Sequence, residues 1–472
     1  MITLTIEEGA KAMGADISAA PGREPSAAGQ GLFPAVSTDT RTLQPGQCFF
    51  CLKGPNFNAH DFIGQALEKG ASIIVHSEPV GPVHPDGAVF LQVPDTLAAL
   101  QSLSHYVRKK WAGTVVGVTG STGKTTTRSF TATLLRQAFE VLESKGNLNN
   151  DIGVPLSLLS LEDRHQVAVI EMGMNHPGEI RALARLAQPD TAVLTNIAPV
   201  HLEFFESLDA IARAKGEILE HLPADGLVVY NADDPRLVAM TGPLTVRKVS
   251  YSLGENADIR IGTYCYHGLD EMEFEVTAPG GTFSARVPFI GKHFLYNLAA
   301  AIAVASSFGL APDTIRGAIE KLTPLAMRGQ VLKFREGRFA GCTVWDDSYN
   351  ANPYALASVL ETVAGLTGFR RKIVALGDML ELGKTSPDWH REVGRRAGAM
   401  GVDLLVAVGE QAAEVCEGAR SAGLPAEKTA RFENSGQAAE YVATQLKAGD
   451  FLLVKGSRGV AMDQIVATIK RG

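Results

Sequence analysis

The chain has 472 residues, of which 45% are hydrophobic and 20% are charged, and its formal net charge is −7. This composition is ordinary for a globular protein, and a negative chain lacks the basic footprint of a nucleic-acid binder. No apolar run approaches the roughly twenty residues of a membrane span, and the first thirty residues lack the apolar core of a signal peptide. We therefore expect a cytoplasmic protein of about three domains.

The five cysteines fit a reducing compartment. Cys48 and Cys51 form a lone C-F-F-C sequence, which could indicate redox or metal chemistry. Strand alternation would direct the two side chains to opposite faces, and no further ligands follow at a spacing suited to zinc. We interpret both cysteines as packing residues.

Three segments differ in their sequence patterns. Residues 1–111 mix short strands with loop-like stretches at 21–31 and 77–87. Apolar strands alternate with helical patterns from 112 to 325, and the alternation starts again from 326 to 472. Such alternation predicts an α/β fold with parallel sheets and crossover helices. Sheets of this kind bind ligands beyond the carboxyl ends of their strands.

The central segment opens with VVGVTGSTGKTTT, an apolar strand followed by a glycine-rich turn. Gly120, Gly123, Lys124 and Thr125 match a phosphate-binding loop, although Val118 stands where the strict pattern has glycine. The glycines let backbone N–H groups turn onto phosphates, and the following helix adds its positive end. The lysine would reach the β- and γ-phosphates, and the threonine would coordinate Mg²⁺. An incidental lysine in a tight turn is the alternative, but the flanking strand and helix favour ATP or GTP.

Two later strands of the central segment lead to polar residues. The run VAVIE ends at Glu171, and the run TAVL leads into a loop with Asn196 and His201. A carboxylate at such a strand end could hold Mg²⁺. A solvent-facing glutamate and a structural histidine are the alternatives. The phosphate loop on the same sheet favours a functional interpretation of the glutamate and leaves the histidine open.

Lys215 lies on the apolar face of a predicted helix. The sequence SLDAIARAKGEILEHL has a plausible N-cap at Ser207, and the lysine follows Leu208 by seven residues and Ile211 by four. A buried ammonium group is costly unless it is paired or chemically changed. Its stem could run along the helix to water. Alternatively, the amine has reacted with CO₂ to form a carbamate beside a metal, and the pattern alone leaves both interpretations open.

The C-terminal segment carries WDDSYNANP at the end of the strand CTVW. Two acids and two asparagines at a strand end suit ribose or metal binding. These residue types also form turns and caps before a helix, which would begin at Pro353. The sequences GDMLELG and VKGSRG follow later strands and would line the same rim. In the second of these, Lys455 and Arg458 could bind a substrate carboxylate, or they could be solvated.

Six stretches together resemble the Mur ligase family of peptidoglycan synthesis. They are TGSTGKT at 119–125, EMGMNHPGEI at 171–180, TNIAPVHLEFF at 195–205, ARAKGEI at 212–218, DDSYNANP at 346–353 and VKGSRG at 454–459. Near the N-terminus, STDTRTLQPGQCFF and GPNFNAHDF resemble the UDP-binding segment of the family. There the sequence Asn58-Ala59-His60 replaces the more usual D-G-H. The resemblance extends over all three segments.

The resemblance implies three domains: a UDP-sugar-peptide domain at 1–111, a central P-loop-type ATP-binding domain at 112–325 and a Rossmann-like ligase domain at 326–472. It also implies an ATP-dependent ligase that joins D-alanyl-D-alanine to UDP-N-acetylmuramoyl-tripeptide. The reaction would use ATP and Mg²⁺, pass through an acyl phosphate and release ADP and phosphate. We expect a monomer that binds no nucleic acid.

The resemblance further implies roles for individual residues. The implied catalytic residues are Lys124, Glu171, His201 and Lys215. The implied metal-associated residues are Thr125, Glu171, His201 and Lys215, the last as a carbamate. The implied nucleotide contacts are Thr119, Gly120, Ser121, Thr122, Gly123, Lys124, Thr125, Asn297, Arg328, Asp346 and Asn350. The implied substrate contacts are Thr38, Thr40, Asn147, Asn149, Lys455 and Arg458.

Three other functions compete with this one. The ligase that adds the third amino acid of the peptide carries a DNPR-type motif, which this sequence lacks. Folylpolyglutamate synthetase shares the chemistry but differs in its phosphate loop and in the UDP-side segment. A nucleotide-switched ATPase would release phosphate without a substrate, and it would leave Lys215 unexplained.

Overall fold

The computed structural model describes residues 1–19, 31–80 and 88–472, so most of the two stretches predicted as loops lies outside the described residues. The chain forms two compact units. The first unit comprises Met1–Thr119, Ala138–Val193 and Ala214–Val228, and the second comprises Gly120–Gln137, Leu194–Arg213 and Val229–Gly472. Within the described ranges, the longest and most apolar helices still fall short of a membrane span.

The N-terminal part of the first unit is a five-stranded sheet. Its strands, in spatial order, are Asp16–Ala19, Val89–Gln92, Ile73–His76, Cys48–Phe50 and Val36–Ser37. The first pair is antiparallel and the other pairs are parallel. Among its described residues, the α-helices of this part are Ile6–Met13, Ile63–Glu68 and Thr96–Lys110, and a short hairpin joins Lys53–Gly54 to Phe57–Asn58.

Both cysteines of the C-F-F-C sequence are buried in this sheet region. Burial raises the pKa of the Cys51 thiol to about 12, and burial also raises the pKa of Cys48. A redox or metal-binding cysteine needs an accessible thiolate. The prediction that the two residues serve packing is therefore confirmed.

A second group of strands in the first unit is wholly parallel. Its members, in spatial order, are Thr114–Thr119, Val167–Glu171 and Val141–Glu143. Glu171 pairs with Val118, so the glutamate and Thr119 lie at the same edge of this sheet. Helices Gly153–Leu158 and Glu179–Ala187 follow the strands. The chain passes between the two units within strands Thr191–Leu194 and Leu227–Asn231.

The second unit contains an antiparallel region that the sequence analysis missed. Strand Ile259–His267 pairs antiparallel with Glu271–Ala278, which pairs antiparallel with Gly281–Val287. Strand Arg247–Ser252 joins this region by a parallel pairing with Ile259–His267. The prediction of strand–helix alternation throughout 112–325 is wrong here. Gly268 and the Gly280–Gly281 pair adopt positive φ angles, which permit the tight turns that a hairpin needs. Helices Lys124–Leu135, Lys292–Ser307 and Pro312–Ile319 belong to the same unit.

The C-terminal part of the second unit is a six-stranded sheet. Its strands, in spatial order, are Gln330–Lys333, Thr343–Asp347, Asp450–Lys455, Arg371–Gly377, Leu404–Val408 and Thr429–Phe432. The first pair is antiparallel and the remaining pairs are parallel. Its main helices are Pro353–Ala364, Ser386–Ala399, Ala412–Ser421, Ser435–Gln445 and Asp463–Arg471. The first of these helices begins at the predicted proline, and Asn352 caps it by accepting the Ala355 N–H at 2.9 Å.

A buried carboxylate, Asp450, stabilises the start of one central strand of this sheet. It accepts hydrogen bonds from Arg371 at 2.6 Å and from the Lys447 N–H at 2.9 Å. Burial raises the pKa of Asp450, but the hydrogen bonds from Arg371 and Lys447 outweigh burial and hold the pKa below its usual value. The ionised form therefore stabilises the fold above the ordinary aspartate pKa of about 4, and this stabilisation is lost as the pH falls below that value.

We expect Asp450→Asn to lower the free energy of unfolding by about 2 kcal/mol at pH 7, because the buried side chain loses its charge-assisted hydrogen bonds from the partly exposed Arg370 and Arg371. The loss relative to the unsubstituted chain should shrink at low pH. Urea unfolding at several pH values measures both effects. Glu440→Gln, at an exposed position of helix Ser435–Gln445, is the matched control. An unchanged unfolding free energy for Asp450→Asn would contradict this account.

Candidate active site

The phosphate loop has the backbone that its glycines predict. Gly120 has φ of 145° and Gly123 has φ of 79°, and helix Lys124–Leu135 begins immediately after the second glycine. A Cβ atom at Gly120 would collide with the Thr195 hydroxyl, and one at Gly123 would collide with the Asn297 side-chain oxygen. Only glycine fits both positions, and the loop N–H groups precede the positive end of a helix.

The segment that follows strand Thr191–Leu194 holds the loop in place. The Thr195 hydroxyl donates to the Thr122 carbonyl oxygen at 2.6 Å, and the Asn196 Oδ1 accepts the Thr122 N–H at 3.1 Å. The Ser121 hydroxyl donates to the Ala198 carbonyl oxygen at 3.1 Å. Asn196 therefore positions the loop, a role that the sequence analysis did not assign.

Lys124 is folded back over this loop. Its Nζ donates to the carbonyl oxygens of Gly120 at 2.9 Å and Ser121 at 3.3 Å. The half-buried Thr125 follows it, and the hydroxyl of Thr127, in the same helical turn, donates to the Asn297 Oδ1 at 3.1 Å. The structure thus brings Asn297 to the phosphate loop, although the two lie more than 170 positions apart.

We expect Gly123→Ala to abolish nucleotide binding, because the substitution adds both the cost of positive φ and a collision with Asn297. The cost of positive φ alone is about 1–2 kcal/mol. Gly46→Ala is the matched control, since Gly46 has φ of 83° and open space around its Cα. Calorimetric titration with ADP and urea unfolding separate the two effects. Equal ADP affinity in the two variants would contradict the argument.

The first unit brings a predicted metal residue and a predicted substrate residue together. Glu171 is buried at the end of its strand, and its Oε1 accepts the Asn149 side-chain N–H at 2.8 Å. At the same sheet edge, the Thr119 hydroxyl donates to the Met172 carbonyl oxygen at 2.9 Å. The exposed Asn147 contributes its carbonyl oxygen, which accepts the Asn149 N–H at 2.8 Å.

A cavity of about 430 Å³ lies beside this pair. Its lining residues include Asn149, Asn150, Asp151, Asn175 and Glu179. Amide groups and carboxylates at one cavity wall offer both donors and acceptors, which suits a polar ligand with a peptide-like backbone. Asn149 thus both lines the cavity and contacts Glu171, and its role as a substrate contact stays a prediction.

Lys215 is fully buried. It lies near the end of helix Leu208–Gly216, which the chain continues as the 3₁₀ helix Glu217–His221. The predicted N-cap is confirmed, because the Ser207 hydroxyl accepts the Ala210 N–H at 3.2 Å. The alternative that the lysine stem carries its ammonium group to water is wrong, since none of the side chain is exposed.

A neighbouring acid, Glu217, was missed by the sequence analysis. Its buried carboxylate accepts the N–H groups of Gly178 at 2.8 Å and Arg181 at 3.0 Å, at the start of helix Glu179–Ala187. A carboxylate at a helix N-terminus is stabilised by the helix dipole. The sequence feature that could have revealed Glu217 is its position, two residues after a lysine that lies on the apolar face of a predicted helix.

His201 contacts a residue that is distant in sequence. Its Nδ1 lies 2.5 Å from the Glu381 Oε2, in the GDMLELG sequence of the C-terminal segment. The hydrogen bond from His201 lowers the pKa of the Glu381 carboxyl below its usual value. Both residues have positive φ, of 55° and 63° respectively. GDMLELG was predicted to line the rim, but its pairing with the histidine was not predicted.

The predicted nucleotide contacts of the C-terminal segment occupy different environments. Burial raises the pKa of Asp346, whose Oδ1 accepts the Ser348 hydroxyl at 2.5 Å. Asn350 is exposed, and its Oδ1 accepts the Ala351 N–H at 2.9 Å. The Arg328 guanidinium lies 4.0 Å above the centre of the Tyr349 ring, a cation–π contact that orients the arginine.

The two basic residues of VKGSRG also differ in their exposure to solvent. Lys455 is buried, and its Nζ donates to the Asp347 carboxylate at 2.5 Å and to the Asn350 carbonyl oxygen at 2.9 Å. The interpretation of this lysine as a solvated residue is therefore wrong. The Arg458 side chain is 58% exposed and lies 3.2 Å from Asp463.

The predicted UDP-side residues lie in the first unit. Thr38 is half-buried, and Thr40 is buried with its hydroxyl 2.5 Å from the Gln65 side-chain oxygen. Asn58 caps the 3₁₀ helix Ala59–Phe62, and its Oδ1 contacts the His60 Nδ1 at 2.7 Å. The ring's Nε2 accepts the Ser77 N–H at 3.0 Å. Asparagine thus supplies the cap that aspartate would supply in the more usual sequence.

Comparison with known protein families identifies this combination of sheets and phosphate loop. Three family models match successive segments: the Mur ligase family catalytic domain at residues 33–108, the Mur ligase middle domain at 118–305 and the Mur ligase glutamate ligase domain at 327–458. The chain belongs to the Mur ligase family.

Sequence relatives indicate which kind of Mur ligase the chain resembles. The chain is similar to the UDP-N-acetylmuramoyl-tripeptide–D-alanyl-D-alanine ligase of Escherichia coli (strain K12), with 36% identity over 92% of this chain and 93% of the relative. It is also similar to the ligase of that name from Bacillus subtilis (strain 168), with 33% identity over 93% of each chain.

Solved structures agree with the sequence relatives. A crystal structure of MurF from Acinetobacter baumannii superposes with a TM-score of 0.86 and 29% identity, over 100% of this chain and 99% of that one. MurF from Thermotoga maritima in complex with ADP gives a TM-score of 0.80 and 28% identity, over 93% and 99% of the two chains. The predicted α/β fold with a P-loop-type and a Rossmann-like sheet is confirmed.

Proposed function

We propose that this chain is an ATP-dependent ligase that joins D-alanyl-D-alanine to UDP-N-acetylmuramoyl-tripeptide in peptidoglycan precursor synthesis. The observation that carries the proposal is the phosphate loop with Lys124 in a chain that matches ligases of this name over more than nine-tenths of its length. ATP is the nucleotide, in keeping with the ADP complex of the Thermotoga relative.

The chemistry follows from the weakness of a carboxylate as an acyl donor. An oxygen of the tripeptide's terminal carboxylate attacks the γ-phosphorus of ATP, and the bond to ADP breaks. The resulting acyl phosphate is attacked by the free amine of D-alanyl-D-alanine. The tetrahedral intermediate expels inorganic phosphate and the amine loses its proton, which leaves an amide. Two anions meet in the first step, so the charge on Lys124 lowers its barrier.

The three predicted domains keep their boundaries in this proposal. Residues 1–111 bind the UDP-sugar peptide through Thr38 and Thr40. Residues 112–325 bind ATP, and residues 326–472 contribute Arg328, Asp346 and Asn350 to the nucleotide. The matched family models at 33–108, 118–305 and 327–458 support this division, since each lies within one predicted domain.

The proposed substrate contacts are the pair Asn147 and Asn149 and the pair Lys455 and Arg458. The hydrogen bond between Asn149 and Glu171 supports the first pair. Lys455 also donates to the Asp347 carboxylate and to the Asn350 carbonyl oxygen, and these contacts hold its ammonium group at the end of its strand. A cytoplasmic location and a monomeric state stay predictions.

Mg²⁺ is the proposed metal. The proposed metal-associated residues are Thr125, Glu171, His201 and Lys215, the last as a carbamate. Hydroxyl and carboxylate oxygens suit Mg²⁺, and the complete burial of Lys215 is the observation that supports the carbamate. When bound, the ion would neutralise charge between the two reacting anions.

The test is phosphate release from ATP and Mg²⁺, with UDP-N-acetylmuramoyl-tripeptide and D-alanyl-D-alanine supplied separately and together. We expect release that requires both substrates, together with a mass gain of one dipeptide in the product. Release from ATP alone would support a switching ATPase instead. Turnover with a single amino acid in place of the dipeptide would assign the chain to a sister enzyme of the family.

A further inference from the structure

Glu381 is the residue through which the C-terminal segment contacts a proposed metal ligand. Its carboxylate lies 2.5 Å from the His201 Nδ1, and its carbonyl oxygen accepts the Glu203 N–H at 3.2 Å. Gly383 packs against the Glu203 backbone, where an added Cβ would lie 3.1 Å from the Glu203 Cα. Three separate contacts therefore fix the 381–383 turn against the 201–203 loop.

The backbone on both sides of this contact is unusual. Among the described residues, five non-glycine residues have positive φ: Gln188, His201, Met327, Glu381 and Ala461. Such a conformation is unfavourable for a residue with a side chain and persists only where the surroundings enforce it. Two of the five are the partners of one hydrogen bond, so this contact joins two positions whose backbone is held in an unfavourable conformation.

The carboxylate of this pair determines which nitrogen of the His201 ring carries the proton. A carboxylate beside Nδ1 makes this nitrogen the donor, which leaves the lone pair of the ring on Nε2. Histidines that bind metals through one nitrogen almost always donate the other N–H to a carboxylate, a carbonyl oxygen or water. The hydrogen bond thus fixes both the tautomer and the direction of the His201 ring.

We propose that Glu381 is a positioning residue that prepares His201 to bind the metal through Nε2. The inference rests on the proposed function, in which His201 is a metal ligand. His201 belongs to the predicted central domain and Glu381 to the predicted C-terminal domain. The His201 ring is therefore held in its metal-binding orientation only while the turn at 381–383 contacts the loop at 201–203. This couples metal affinity to the docking of the segment that carries GDMLELG.

The experiment is Mn²⁺ binding to the full chain with a non-hydrolysable ATP analogue, followed by electron paramagnetic resonance. We expect Glu381→Ala to raise the Mn²⁺ dissociation constant by about 10–100-fold, which is the usual effect of losing such a partner. Glu381→Gln should give a smaller increase, because its amide oxygen still accepts the Nδ1–H. ADP affinity measured in excess EDTA should not change in either variant.

Glu203→Gln is the matched control, since this exposed carboxylate lies in the same contact region. It should retain Mn²⁺ affinity within twofold. Unchanged Mn²⁺ affinity in Glu381→Ala, alongside a loss in His201→Ala, would overturn the positioning role. So would equal weakening of nucleotide binding with and without the metal. Unchanged affinity in His201→Ala would remove the histidine from the metal site, whereas the ligase activity is tested independently by phosphate release.

Discussion

Replacing Lys215 with alanine should lower kcat by about 10²–10³-fold, the size of effect seen when one group that stabilises transition-state charge is removed. The side chain is fully buried on an apolar helix face, so its amine does not reach water. A carbamate converts this cation into a carboxylate that can bind a metal. Short carboxylates such as acetate should partly restore the activity of the alanine variant, because they replace the missing oxygen ligands.

Two further variants separate this role from packing. Lys215→Met keeps most of the buried stem and cannot form a carbamate, so it should lose activity while its unfolding free energy stays close to that of the unsubstituted chain. Arg213→Ala, at an exposed position of the same helix, should keep normal turnover. Carbon-13 NMR after growth in labelled bicarbonate would detect the carbamate directly. Near-normal turnover in Lys215→Ala would show that the proposed role is wrong.

Local sequence signals predicted much of this protein. The phosphate loop, the cap at Asn352 and the buried stripe with Lys215 each depend on residues within a few positions of one another. Helical and strand periodicities in the sequence reflect which side chains face the core, so they predict the buried face of each element. The parallel ends of two strands also placed Thr119 and Glu171 at one sheet edge, as the alternation predicted.

What the sequence did not reveal depends on contacts between distant residues. The pairing of Glu381 with His201 spans 180 positions, and that of Lys455 with Asp347 spans 108. A lone basic residue after a strand is equally consistent with solvent or with a buried partner, and only the register of Thr343–Asp347 beside Asp450–Lys455 decides between them. The hairpins at 259–287 were missed because their glycine turns also resemble loops between strands and helices.

Lys124→Ala should lower kcat by about 10²–10³-fold while ADP affinity falls much less. The loop N–H groups and the helix start remain in the variant, and these contact phosphates through the backbone. The ammonium group, by contrast, neutralises the β- and γ-phosphates, where charge changes during transfer. The substitution should therefore weaken stabilisation of the transition state more than nucleotide binding, and this loss should appear in kcat.

Arginine should not rescue this position. The Lys124 Nζ lies between the Gly120 and Ser121 carbonyl oxygens at 2.9 and 3.3 Å, a geometry that a compact ammonium group satisfies and a planar guanidinium does not. Lys321→Ala, an exposed lysine of the same compact unit, controls for the loss of one positive charge. Steady-state kinetics and ADP titration of the three variants provide the comparison. If Lys124→Arg retained turnover within tenfold of the unsubstituted chain, positive charge alone would suffice, and the fixed ammonium geometry would not be needed for phosphoryl transfer.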